Sequence, residues 1–285
     1  MTPLRKRMLE DLQIRNYSPC TVETYVRLVA CFARHHGRSP DKLGTEDIRT
    51  YQVHLLEKKV SWALFNQTVC ALRFLYRVTL QRDWPLERLP YGKRPKRLPV
   101  VLSQEEVLRF LGAVDNPKYR MVLTTQYAAG PRISEVVTLQ VEDIDSARML
   151  IHIRHGKGNK ARLVPLSQVL LGQLRTYWRL ERPRQWLFPG RNPKAPVCHK
   201  TIWEACRRAR ESAGLRKHIT PHTLRHCFAT HLLEAGTNIR TVQVLLGHAS
   251  LSSTVIYTHV QRRLITATRS PLDLIGELPP LSPTT

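Results

Sequence analysis

Residues 89–99, LPYGKRPKRLP, hold three prolines, one glycine and four Lys/Arg. Prolines at this density remove backbone donors and fix φ, so neither a helix nor a central strand can run through the segment. A chain of 285 residues interrupted in this way is expected to fold as two units, one on each side. The expected division is a helical domain over 1–88, a basic Pro-rich linker over 89–100, a second domain over 101–268 and a tail over 269–285. The linker's charge suits it to lie as an extended strap along phosphates.

The first 88 residues read as a small helical bundle. Leu4, Met8 and Leu12 form one stripe, and Ser18-Pro19 is an N-cap and first-turn pair. That pair opens a helix with Val22, Tyr25, Val26, Val29 and Phe32 facing inward, ended by Gly37 and Pro40. Thr45 is expected to cap a third helix carrying Ile48, Tyr51 and Leu55. Trp62, Phe65, Val69, Leu72 and Tyr76 mark a long fourth, expected to run to Pro85.

Past the strap, Ser103-x-x-Glu106 is a capping box that starts the second domain. There Met149, Ile151 and Ile153 alternate, the chain turns through Gly-Lys-Gly-Asn-Lys, and apolar residues resume at Leu163 to Leu166, the pattern of a β-hairpin with a basic tip. Helical patterns return over 168–181, 199–213, 222–235, 239–246 and 252–258. The expected fold class is mainly α with a small β-hairpin or sheet.

Charge points to the partner. Forty-five Lys+Arg against 22 Asp+Glu give +23, spread over the chain: 19 basic against 9 acidic residues in 1–100, and 26 against 13 beyond. Both halves are therefore expected to face one polyanion, with nucleic acid the leading candidate. The opening MTPLRKRMLEDL lacks an apolar signal core, and no later run approaches the length of a membrane span, so a cytoplasmic protein is expected. Cys20, Cys31, Cys70, Cys198, Cys206 and Cys227 are scattered without a C-x-x-C pair, which reads as reduced thiols and neither a disulfide framework nor a zinc site.

Four stretches carry the unusual residues. Arg132 follows Gly130-Pro131 at a helix start in AAGPRISEVVTL, and Lys157 sits between two glycines at the hairpin tip. TPHTLRH puts His222 and Arg225 three apart on one helical face, and LLGHASLSSTVIYTHV presents His248 after Gly247 and then Tyr257. Singly, each has an ordinary structural explanation. His222 and His226 at i,i+4 lack the glutamate of a zinc-binding H-E-x-x-H.

Together, in this order and spacing, these motifs resemble the tyrosine recombinases of the phage-integrase superfamily, close to their Xer-like branch, over nearly the whole chain. One departure is Pro131, where a bulkier apolar residue is common. The resemblance implies the two-domain recombinase architecture, with an N-terminal helical DNA-binding domain and a C-terminal catalytic domain. It implies an active site of Arg132, Lys157, His222, Arg225, His248 and Tyr257, with Tyr257 the nucleophile, and no cofactor or metal. It also implies double-stranded DNA with inverted-repeat sites as substrate. The protein would work as a tetramer joined through the C-terminal tail, with a second recombinase as an optional partner, and would be found at the nucleoid.

The chemistry suits the residue types. Attack on a phosphodiester needs a nucleophile, charge stabilisation on the non-bridging oxygens and a proton for the leaving oxygen. Arg132 and Arg225 offer planar forks of N–H donors that stay charged. Lys157 would protonate the departing 5′-oxygen, His222 would accept the phenolic proton of Tyr257, and His248 would hold a phosphate oxygen. A type IB-like topoisomerase shares this set without synapsis, and a DNA-binding regulator with a dead site is the non-enzymatic alternative.

Overall fold

The computed structural model describes residues 1–82, 92, 98–154, 161–247, 250, 252–255 and 257. Lys157, His248, the tail over 269–285 and most of the strap lie outside the described residues. The chain divides into two compact units, Met1–Lys96 and Arg97–Thr285.

The first unit contains four α-helices among its described residues: α1 (Pro3–Ile14), α2 (Pro19–His36), α3 (Thr45–Glu57) and α4 (Trp62–Phe74). Ser18 caps α2 by accepting from the Thr21 N–H, and Gly37 closes it in the left-handed region at φ 62°. At α3 the expected cap is displaced by one residue. Gly44 is the N-cap and Thr45 the first helical residue, because the Asp47 carboxylate reaches back to the Gly44 N–H at 2.7 Å and fixes the start there.

The fourth helix also ends earlier than expected. It widens into a single π-helical turn, Leu75–Thr79, and stops short of Pro85. The turn is tied to the segment after α2: the Tyr76 hydroxyl donates to the Pro40 carbonyl at 2.8 Å, and Arg82 donates to the Leu43 and Asp41 carbonyls. Leu12, Phe32, Ile48, Phe65, Leu72 and Tyr76 fill the core.

The second unit opens on α5 (Gln104–Gly112), whose Ser103/Glu106 box makes both reciprocal hydrogen bonds. Its central element is α6 (Pro117–Ala129), for which the sequence shows no single apolar stripe. The helix packs against α5, the short α7 (Ile133–Val137), α8 (Gln168–Glu181), α9 (His199–Ser212) and α10 (Pro221–Glu234). A helix enclosed on several sides has no reason to keep one polar face.

The expected hairpin is part of a three-stranded antiparallel sheet, β1 (Ile144–Asp145), β2 (Leu150–Ile153) and β3 (Arg162–Pro165), with Ile151 opposite Val164. Met149 does not alternate with Ile151 and Ile153. It takes φ 56° in the turn before β2, where its carbonyl accepts from the Leu166 N–H.

The unit continues through α11 (Ile239–Leu246) to α12 (Ser252–Val255). The last helix is shorter than the expected 252–258. Tyr257 lies in a turn just past it, its N–H donating to the Thr254 carbonyl at 3.0 Å. A small apolar cluster of Phe228, Ala229, Leu233, Val242 and Leu246 receives the Tyr257 ring.

Candidate active site

Gly130 ends α6 at φ 72°, and a Cβ there would stand 2.3 Å from the Phe228 ring, so both the conformation and the space call for glycine. The turn delivers Arg132 as the N-cap of α7. Three residues on, the Glu135 side chain accepts from the Arg132 N–H at 2.8 Å and from its Nη1 at 2.9 Å. Two more bonds reach the same carboxylate from Arg162 on β3, at 3.1 and 2.7 Å.

Glu135 is only 4% exposed. Burial alone would raise its carboxyl, but the bonds from Arg162 and Arg132 outweigh that and hold it below the ordinary carboxylate value. Arg162 also donates from Nε to the Leu245 carbonyl at 3.0 Å and packs against Gly247. One ion-paired carboxylate therefore joins α7, β3 and the end of α11.

Arg225 is buried on α10. Its Nη1 donates to the Gly130 carbonyl and its Nη2 to the Leu246 carbonyl, both at 2.6 Å. These acceptors are the C-terminal carbonyls of α6 and α11, where helix dipoles place partial negative charge, so the guanidinium is held between two helix ends. Desolvation first, then the nearby Arg132 charge, lowers its pKa to about 10, and it remains a cation at neutral pH. Two of the five guanidinium N–H donors are spent on these carbonyls.

Tyr257 is 2% exposed. Desolvation raises its phenol above the ordinary value, while Arg225 and Arg132 pull in the opposite direction. Its hydroxyl oxygen lies 3.0 Å from Nδ1 of His226. The sequence reading gives the phenolic proton to His222; in the structure it is the His226 ring, one turn further along α10, that meets the phenol. The His222 ring is exposed, edge-on to Trp203 at 6.5 Å between centroids. Desolvation of its inner side, with Arg225 and Arg132 nearby, lowers its pKa. His226 is pushed down to about 4, mainly by burial and then by His222 and Arg225, and is a neutral ring at pH 7.

Arg132 and Arg225 thus lie within electrostatic range of both His222 and Tyr257, and the structure adds Glu135, Arg162 and His226 to them. The added residues had faint sequence signals: Glu135 sits three after Arg132 in GPRISE, Arg162 closes GKGNKAR, and His226 ends HTLRH. Among the described residues no three His, Cys, Asp or Glu side chains converge as a metal-ligand set, and no helix is long and apolar enough to cross a membrane. The arrangement offers two cations for a phosphate, a phenol and an imidazole positioned to exchange its proton.

Residues 100–263 match the family model described as the phage integrase family, and residues 4–86 match its N-terminal SAM-like domain. A protein of Sinorhizobium fredii, provisionally named an integrase/recombinase, is 50% identical over 99% of this chain and 92% of its own length. The tyrosine recombinase XerA of Pyrococcus horikoshii is 34% identical over 87% of this chain and 86% of its own. In structure, the XerH site-specific recombinase bound to its difH substrate in a pre-cleavage complex aligns with TM-score 0.69 and 26% identity, covering 89% of this chain and 80% of that one.

Proposed function

The chain belongs to the phage integrase family, and from that premise we propose how its own residues carry the chemistry. It is a site-specific DNA recombinase that cleaves and rejoins duplex DNA through a phosphotyrosyl intermediate. Tyr257 attacks the scissile phosphorus, leaving a 3′-phosphotyrosyl link and a free 5′-hydroxyl. Arg132 and Arg225 bind the non-bridging oxygens, where charge develops in the transition state. His222, with its ring at the surface, hydrogen-bonds the same phosphate. By their motifs, Lys157 protonates the leaving 5′-oxygen and His248 holds a phosphate oxygen. Because the link conserves bond energy, a 5′-hydroxyl of another strand can reverse the step.

The observation that carries this reading is the Arg225 guanidinium, buried between the carbonyl ends of α6 and α11 beside Arg132 and Tyr257. Besides tying the two helix ends, a cation secured there is placed to bind an anion arriving at the phenol.

Residues 1–88 and 101–268 each bind the DNA, with 89–100 as the segment that links them. The protein assembles as four protomers on two paired duplexes with inverted-repeat sites, the tail over 269–285 docking in trans, and it works at the nucleoid in the cytoplasm. The test is a nicked suicide duplex, carrying a site the protein itself selects from random DNA, run on a denaturing gel. The parent forms a DNA-linked band; Tyr257→Phe binds the duplex with similar affinity and forms none. A DNA-linked band from the Phe variant would remove Tyr257 from the role.

A further inference from the structure

A buried phenol attacking phosphorus must lose its proton during the attack, because burial opposes prior ionisation and Tyr257, at 2% exposure, has little access to bulk water. The acceptor must therefore lie within hydrogen-bond reach of the hydroxyl. His226 meets that requirement: its Nδ1 is 3.0 Å from the Tyr257 oxygen, with the two rings tilted by 50° at 5.5 Å between centroids. His222, on the same helix, is an exposed residue with its ring beside Trp203.

We propose that His226 is the general base of strand cleavage, taking the phenolic proton on Nδ1 as Tyr257 attacks and returning it on religation. The proposal rests on Tyr257 being the nucleophile. In the forward step the Tyr257 O–H bond breaks to His226, the phenolic oxygen bonds to phosphorus, and the P–O5′ bond breaks. The departing 5′-oxygen takes its proton from the acid facing it, the role given to Lys157. The neutral imidazole then becomes an imidazolium. Burial first, and then His222 and Arg225, disfavour that cation, and the negative charge of a bound phosphate favours it. The base is thereby most effective when substrate is bound. His222 is left to the phosphate.

Three variants test this on the nicked suicide duplex in single turnover. His226→Asn keeps a polar atom close to the Nδ1 position and has no basicity. It is expected to bind DNA within a fewfold of the parent and to form adduct roughly 10²-fold or more slowly, the usual contribution of a positioned base. His226→Ala opens space for exogenous imidazoles, whose rescue is expected to rise with the basicity of the imidazole added. A residue that merely packs the tyrosine would be rescued by shape alone, equally at all basicities. Cleavage by His226→Asn within threefold of the parent, rescue independent of basicity, or basicity-dependent rescue of His222→Ala in place of His226→Ala would each overturn the assignment. Tyr257→Phe runs in parallel: an adduct there breaks the nucleophile reading, whereas its absence together with a fully active His226→Asn breaks only the assignment of the base.

Discussion

Glu135→Gln is the substitution that most sharply separates the ionic brace from ordinary packing. The side chains are nearly the same size, so the change removes charge and two acceptor positions rather than volume. Glu135 accepts four hydrogen bonds, at 2.8 and 2.9 Å from Arg132 and at 3.1 and 2.7 Å from Arg162. In the amide one oxygen becomes an NH₂ facing N–H donors, so half of these bonds become donor–donor contacts. Each hydrogen bond to a charged group contributes about 1.5–3 kcal/mol. Removing one partner of a buried pair costs about 3–5 kcal/mol. The Arg132 side chain is 21% exposed and that of Arg162 is 11%, so water relieves part of the loss. The expected cost is about 3 kcal/mol, which at about 2–4 °C per kcal/mol lowers Tm by about 6–12 °C.

Because Arg132 loses its anchor, adduct formation should also slow, by roughly 10²-fold for one misplaced phosphate donor. The sign with pH follows from the depressed Glu135 carboxyl. Its stabilisation is fully present above the ordinary carboxyl value and disappears as pH falls through the lower folded-state value, so the gap between parent and variant should narrow in acid. Thermal unfolding across pH and single-turnover cleavage measure both effects. A Tm within 2 °C of the parent together with unchanged cleavage would refute the brace.

Gly130→Ala combines a left-handed conformation with a methyl placed 2.3 Å from the Phe228 ring, and should destabilise by about 2–4 kcal/mol in urea unfolding; a change under about 0.5 kcal/mol would contradict the packing described. Arg225→Lys cannot span the carbonyls of Gly130 and Leu246 with one fork, so cleavage should fall roughly 10²–10³-fold with DNA affinity little changed; a near-parental rate would show that the fork is dispensable. His226 has a folded-state pKa of about 4 against an ordinary value near 6.5. Its neutral form therefore supports stability above about pH 6.5, and that support fades as pH falls toward 4, so His226→Asn should flatten the acid limb of a stability–pH curve. Adduct formation should be unaffected by EDTA, since two arginines carry the phosphate charge; loss of adduct with DNA binding intact would require a divalent ion.

Much of the fold was legible because its signals are local. The Ser18-Pro19 and Ser103-x-x-Glu106 starts, the Gly37 and Gly247 ends and the alternation around Ile151 each depend on a few neighbouring residues. The buried α6 was not legible, since a helix covered by five others has no polar face to give it away. The same distinction holds at the site. Arg132, His222, Arg225 and Tyr257 stand in recognisable motifs, whereas Glu135, Arg162 and His226 gain their meaning from distant partners: Arg162 from a carboxylate 27 residues away and His226 from a phenol 31 residues away. Two histidines four apart in HTLRH are equivalent on paper. Only the packing of the Tyr257 ring against Phe228 and Leu246 decides which of them meets the hydroxyl.

The central claim is that one phenolic oxygen becomes covalently joined to DNA. Trapping the adduct on a nicked duplex, digesting protein and DNA, and mapping the nucleotide-bearing peptide by mass spectrometry tests it directly. The account predicts a single modified peptide with a 3′-phosphonucleotide on Tyr257. The same modification on any other residue, or a 5′-linked nucleotide on Tyr257, would contradict it.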